Sequence, residues 1–211
     1  MTAPQDGATS PNDLPAGLRD PLVWVDLEMT GLDPDANVVI EAAVIITDGT
    51  LETVLEGPDL VIAAPEAALA AMEPTVAQMH ARSGLDEAVR ASTLTVADAE
   101  QQLLEFITAH VPLPRSAPLA GNSVHADRMF LRRYMPGLEA HVHYRNVDVS
   151  TVKELARRWH PATLEGAPAK GGDHRALPDI RESIAELRYY RDAIFRPPQP
   201  TTQSPAPPSS A

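Results

Sequence analysis

Two carboxylates interrupt an apolar run near the start of the chain. In Leu22-Val23-Trp24-Val25-Asp26-Leu27-Glu28-Met29-Thr30-Gly31-Leu32 the pattern is that of a buried strand, in which successive side chains alternate faces. Asp26 and Glu28 therefore share a face, roughly 7 Å apart along the backbone. With their carboxylates ~5 Å apart and an effective dielectric near 20, the repulsion is about 3 kcal/mol. A core strand keeps such a pair only if a cation or a proton offsets it. A divalent metal suits the pair because hard cations prefer oxygen ligands. Thr30-Gly31 then turns the chain away and leaves both acids at the rim of a sheet.

Three further residues complete a chemical set. Asp127 falls one turn into a helix predicted over 124–134, with Ser123 four residues earlier on the same face. A helix N-terminus offers free N–H groups and partial positive charge to an anion such as phosphate. His174 and Asp179 are five residues apart, which on one helix means about 500° of rotation and side chains ~140° apart. Pro178 places the helix start close by, since proline is tolerated only in a first turn. His174 then belongs to the Gly171-Gly172 loop while Asp179 is anchored on the helix. A loop histidine beside an anchored carboxylate suits a general base next to a metal ligand. Taken singly, each residue has an ordinary explanation as a surface charge or helix cap. Together, Asp26, Glu28, Asp127, Asp179 and His174 form a two-metal phosphodiesterase set, in which paired cations activate water and stabilise the leaving oxygen.

The elements that must position these residues follow from periodicity. Strand-like runs cover 22–27, 38–47 and 54–62, the second almost continuously apolar as an interior strand would be. Their short connections suit antiparallel neighbours. Helical patterns follow over 65–73, 76–81 and 96–110, the last with Leu103, Leu104, Phe106 and Ile107 on its apolar side. A short strand at 117–121 leads to the 124–134 helix, capped by Asn122 or Ser123. A strand at 144–149 precedes a helix to about Trp159 with a capping box at Thr151-Val152-Lys153-Glu154. A glycine-rich loop, 166–172, leads to a last helix whose buried stripe is Ile180, Ile184 and Leu187. Three leading strands, then helices alternating with strands, predict an α/β protein with a mixed sheet and helices packed on it, an order found in the ribonuclease-H-like fold among others.

Composition bounds the rest. The chain has 211 residues, 29 acidic against 17 basic, and a net charge of −12. That balance argues against gripping long nucleic acid through its phosphates, which requires lysine and arginine, but leaves room for a short strand held at a metal site. There is no cysteine, hence no disulfide or thiolate site. No apolar run approaches the ~20 residues that span a bilayer, and the start does not read as a signal peptide. A soluble, cytoplasmic protein is expected, with no membrane association. Residues 1–20 and the proline-rich 196–211 read as disordered flanks of a single domain over 21–195.

The motifs resemble those of the oligoribonucleases, 3′-to-5′ exonucleases that use four acidic residues and a histidine. The likeness rests on Val25-Asp26-Leu27-Glu28-Met29-Thr30-Gly31-Leu32, Gly121-Asn122-Ser123, Asp127-Arg128, His143-Tyr144-Arg145, the run from Asp148 to Trp159 with its Lys-Glu-Leu-Ala-Arg-Arg-Trp ending, and His174-Arg175-Ala176-Leu177 followed by Asp179-Ile180-Arg181-Glu182-Ser183. It covers about 22–195. The resemblance implies a ribonuclease-H-like fold, a homodimer, and hydrolysis of very short RNAs, especially dinucleotides, to 5′-mononucleotides with Mg²⁺ or Mn²⁺. It makes Asp26, Glu28 and Asp179 metal ligands, Asp127 a ligand directly or through water, and His174 the base. It gives Leu32 the part of a wedge near the bases, and makes His80, Ser123, Tyr144 and Arg145 substrate contacts, the last two from the partner subunit.

Three departures from the family pattern stand out. Thr75 stands where many members have a tryptophan that stacks on a base, a contact worth ~1–3 kcal/mol. His125-Ala126 replaces the commoner Gly-Gln, and Pro178 replaces a small or acidic residue. A relative acting on DNA ends or longer RNA tails is the competing expectation, and the missing basic stripe counts against it. A non-catalytic dimerisation or RNA-binding module would be expected to lack one of the five residues.

Overall fold

A computed structural model describes residues 18–169, 171–172 and 174–195. The expected disordered flanks, apart from residues 18–20, lie outside the described residues. Five strands form one mixed sheet: β1 (Leu22–Met29), β2 (Val39–Thr47), β3 (Val54–Val61), β4 (Pro118–Gly121) and β5 (His143–Asp148), in the order β3-β2-β1-β4-β5. The β1–β2 and β2–β3 pairs are antiparallel, as their short connections require, whereas β4 and β5 run parallel to β1. β2 is paired on both sides and buried at every position, which explains its almost unbroken apolar sequence.

Alternation along β1 sends its side chains to two different cores. Val23, Val25 and Leu27 pack with Leu103 and Ile107 of α4 (Val96–His110), Phe130 and Leu131 of α5 (His125–Tyr134), and Leu138 of α6 (Pro136–His141). On the opposite face Trp24 joins Ala43, Ile45 and Ala120 against α7 (Val149–Trp159) and α8 (Ala176–Ile194), chiefly Ile180, Ile184 and Tyr190. Trp24 also donates its indole N–H to Thr47 at 2.9 Å, so its one polar atom is satisfied inside the core. The same alternation puts Asp26 and Glu28 on the α8 face. A smaller cluster of Ile40, Leu69, Leu85 and Val89 seats α1 (Glu66–Ala70) and α3 (Leu85–Ala91) beside α2 (Pro74–Ser83).

Local boundaries depart from expectation for identifiable reasons. The helix expected over 65–73 is only Glu66–Ala70, because Pro74 opens a new helix at its first turn. α3 and α6 were not expected; each is short, and Gly84 or Pro136 separates it from its predecessor. α5 has no side-chain cap, since Asn122 and Ser123 make other bonds, and its cap position is Val124. α7 starts at Val149, two residues before the expected box, because Asp148 accepts the Ser150 N–H at 2.9 Å.

Candidate active site

β1 and β4 are parallel neighbours; β1 leads by a hairpin to β2 on one side of the pair, and β4 leads through α5 and α6 to β5 on the other. In open α/β sheets the crevice beyond the carboxyl ends of such strands is where ligands bind. Asp26 and Glu28 lie at that end of β1. The turn that follows is braced: Thr30 Oγ1 accepts the Val38 N–H, Asn37 Oδ1 accepts the Asp33 N–H, and Tyr134 donates its hydroxyl to the Asn37 carbonyl at 2.6 Å. A Cβ on Gly31 would meet the Asn37 side chain at 2.5 Å, so any larger residue there would displace Asn37 from its bond to Asp33. Leu32 at its tip is 74% exposed, an apolar side chain held in solvent beside the acids.

α8 brings the third acid. Its first residue is Ala176, Pro178 sits within the first turn, and Asp179 follows at once. Because α8 packs on the face of β1 that carries Asp26 and Glu28, one ligand oxygen from each of Asp26, Glu28 and Asp179 lies within 4.8 Å of the others. Asp127 approaches from α5: its Oδ1 accepts the Leu27 N–H at 3.0 Å, which fixes the carboxylate between the two β1 acids in sequence. Among the described residues, Asp127 and His174 stand outside the three-carboxylate group.

The electrostatics are those of anions short of a counter-charge. Burial, then the charges of Asp127, Glu28, Asp179 and Glu41, hold the Asp26 carboxyl well above the ordinary carboxylate range. Burial, then Asp179, Glu41 and Asp127, push Glu28 up to about 8 against the opposing pull of Arg175. Burial raises Asp127 to about 7, although hydrogen bonds from the Leu27 and Asp127 N–H groups oppose it. Protons or hard cations relieve such a site, and an all-oxygen donor set fits Mg²⁺-like ions better than soft metals.

The remaining expected residues are dispersed. His174 is exposed at the end of the glycine loop with φ +48°, two residues after Gly172 at φ +71°. With Thr75, Gln78, Met79, Arg82 and Ser83 it lines a cavity of about 650 Å³ between that loop and α2. Ser123, at φ +51°, donates its N–H to Asp148 at 3.0 Å, and its hydroxyl lies 3.2 Å from that of Ser150. Ser150, whose hydroxyl also donates to the Asn122 side-chain oxygen Oδ1 at 3.1 Å, was missed in the sequence because it reads as a helix-start serine. His80 is fully buried: its Nε2 lies 3.0 Å from the Met29 carbonyl oxygen and its Nδ1 3.9 Å from Glu28 Oε2. In this conformation the ring is bonded to the end of β1 and presents no surface to solvent.

Tyr144 and Arg145 lie at the other end of the molecule. The arginine borders a cavity with Asp20, Pro21, Leu22, Ser116, Pro118 and His143, at the start of β1. Six residues of strand, about 20 Å, separate Leu22 from Glu28. Tyr144 is 71% exposed, with the Arg145 guanidinium 5.3 Å from its ring centre. Neither side chain joins the acids of its own chain.

Comparison with known proteins agrees with this geometry. The RNase T family, described as exonuclease, matches residues 23–187. An oligoribonuclease from Nocardia farcinica is 57% identical over 182 residues, covering 86% of this chain and 84% of that protein. One from Mycolicibacterium paratuberculosis is 53% identical over 186 residues, covering 88% and 86%. Among solved structures, an exonuclease I described for how it achieves processivity superposes with a TM-score of 0.64 at 16% identity, over 82% of this chain. Exonuclease I from Methylocaldum szegediense gives 0.60 at 22%, also over 82%. The chain spans about two-fifths of those two proteins, 41% of each, and the likeness carries the ribonuclease-H-like fold alone. With the family match spanning most of the chain and relatives above 50% identity at nearly full length, the chain belongs to the RNase T exonuclease family and, within it, groups with the oligoribonucleases.

Proposed function

We propose that this chain is a 3′-to-5′ exoribonuclease that hydrolyses very short RNAs, dinucleotides above all, to 5′-mononucleotides. The observation that carries the reading is the convergence of Asp26, Glu28 and Asp179 oxygens within 4.8 Å at the carboxyl end of β1. These three, with Asp127 directly or through water, would hold two divalent cations, Mg²⁺ or Mn²⁺. Such cations supply Lewis acidity, lowering the pKa of water and stabilising a leaving oxygen.

The protein's own groups do the rest. His174 takes the proton of the attacking water, swinging in on a loop whose left-handed residues leave it exposed. Leu32 wedges against the bases. Ser123, with Ser150 beside it, offers hydroxyl donors to a terminal phosphate. Tyr144 and Arg145 cannot reach their own acids, so in this reading they come from the partner of a homodimer and cap the far end of the substrate. A cap of that kind favours dinucleotides, because a longer strand collides with it. The net charge of −12 fits an enzyme that depends on cations and a short ligand rather than on a long basic groove. Among the described residues no helix is long and apolar enough to cross a membrane, and we place the reaction in the cytoplasm.

The test is a time course on end-labelled RNAs from two to about ten nucleotides, with Mn²⁺ or with chelator, where a cap should favour the shortest substrate. The dinucleotide is expected to disappear fastest and chelation to stop the reaction. Faster cleavage of the longest RNA, or of a DNA end, would point to the alternative of a relative acting on longer strands.

A further inference from the structure

A fifth carboxylate stands against the acids of the site and takes no part in the chemistry above. Glu41 lies on β2 directly across from Glu28 in the antiparallel register and is fully buried. Both of its oxygens are occupied by donors from two consecutive residues. Oε1 accepts from Arg175 Nε at 2.7 Å and lies 2.5 Å from Arg175 Nη2, while Oε2 accepts the Ala176 N–H at 3.0 Å. A carboxylate so engaged has little left to offer a metal, and Glu41 is not in the three-carboxylate group.

What it holds is the start of α8. That helix receives no cap bond from its own N-cap side chain, Arg175. Glu41 supplies one from a strand 135 residues earlier in the sequence. The clamp sits between two residues of the site. His174, with its left-handed backbone, immediately precedes it. Asp179 follows, its N–H donated to the Arg175 carbonyl at 3.0 Å. A glycine-containing loop that ends in a left-handed residue has many ways to lie, and charge-assisted bonds from a buried strand select among them.

We propose that Glu41 is a positioning residue: through Arg175 and the Ala176 N–H it fixes the junction of the His174 loop with α8, and so sets the reach of the His174 imidazole and the place of Asp179. This rests on the proposed function, in which His174 is the base.

The test compares the full-length chain with Glu41→Gln, which removes the charge, and with Arg175→Lys, which keeps a charge but cannot present the same fork of donors. Steady-state hydrolysis of a labelled dinucleotide with saturating Mn²⁺ is read together with amide hydrogen exchange of the metal-free proteins. The expected result is a kcat lowered about 10- to 100-fold with KM nearly unchanged, as for a misplaced catalytic group. Exchange should rise in the loop before α8 while Ile184–Tyr190 keeps its protection. Should Glu41→Gln not fold, Arg175→Lys, altered at a partly exposed side chain, decides. Wild-type kcat and unchanged loop exchange in the folded variants would overturn the proposal, as would lost kcat accompanied by lost protection throughout α8. A wild-type chain without nuclease activity would contradict the function instead, and the exchange comparison would still decide whether Glu41 holds the loop.

Discussion

Glu28 of β1 and His80 of α2 face one another inside the protein, Oε2 and Nδ1 3.9 Å apart, with the other ring nitrogen 3.0 Å from the Met29 carbonyl oxygen. With Nε2–H donating to that carbonyl, the buried Nδ1 is bare and has no hydrogen-bond partner. Burial lowers the pKa of His80 and raises that of Glu28 to about 8. At neutral pH the metal-free site therefore holds a neutral imidazole beside a largely protonated carboxyl. The acids are kept close, and a proton stands where a cation is proposed to bind.

Metal binding should release protons. With Glu28 raised to about 8 and Asp127 to about 7, a cation at pH 7 displaces protons that ordinary carboxylates would already have lost. Calorimetric titration with Mn²⁺ in buffers of different ionisation enthalpy is expected to give net release at pH 7 that shrinks by pH 9. Equal apparent enthalpies in all buffers at pH 7 would contradict the raised values.

The same shift sets a sign for stability. Above the ordinary glutamate value of 4.5 the unfolded chain has lost the Glu28 proton, while the folded protein keeps it to about 8. The folded state binds more protons across that window, so the metal-free protein loses stability as pH rises from 4.5 to 8. Thermal melts in chelator should show this decline, and Glu28→Gln, with no proton to lose, should flatten it. An identical slope in the variant would remove Glu28 as its source.

His80→Ala should act through the fold. Losing a fully buried ring and its bond to Met29 is expected to cost about 2–4 kcal/mol in urea denaturation. A negligible stability loss with a large rise in KM would put the ring on the substrate after all.

Arg145 tests the composite site. A chain carrying Asp26→Ala and a chain carrying Arg145→Ala are each expected to be inactive as homodimers. Mixed heterodimers should regain activity at the one site with intact acids and an intact partner arginine. No recovery in confirmed heterodimers would mean that Arg145 serves its own chain.

Much of this site could be read before the fold was known, because its first half is local. The alternation that puts Asp26 and Glu28 on one face of β1 is a property of any strand, and Pro178 fixes the start of α8 to within two residues. Asp179 joins them because Ile180 and Ile184 pack α8 on that same face. What stayed hidden depends on partners far along the chain. In the sequence Glu41 is a lone charge within an apolar run, and its clamp on Arg175 and Ala176 becomes visible only once β2 lies under α8. Asn122 and Ser123 suit a helix cap, yet Ser183 accepts from the Asn122 amide at 2.6 Å and Asp148 takes the Ser123 N–H. The burial of His80 comes from docking of α2, which no local pattern encodes.

The central claim is that Asp26, Glu28 and Asp179 act as one cation-holding group in RNA hydrolysis. Asp179→Asn keeps the size and the helix start while removing one anionic ligand. Its rate on a labelled dinucleotide with Mn²⁺, measured beside wild type on protein whose fold is verified by circular dichroism, tests that claim most directly. Removing mere neighbours of a metal ligand typically costs 10–100-fold, so loss of the ligand is expected to cost at least about 100-fold. A folded Asp179→Asn chain that cleaves the dinucleotide at the wild-type rate would contradict the account.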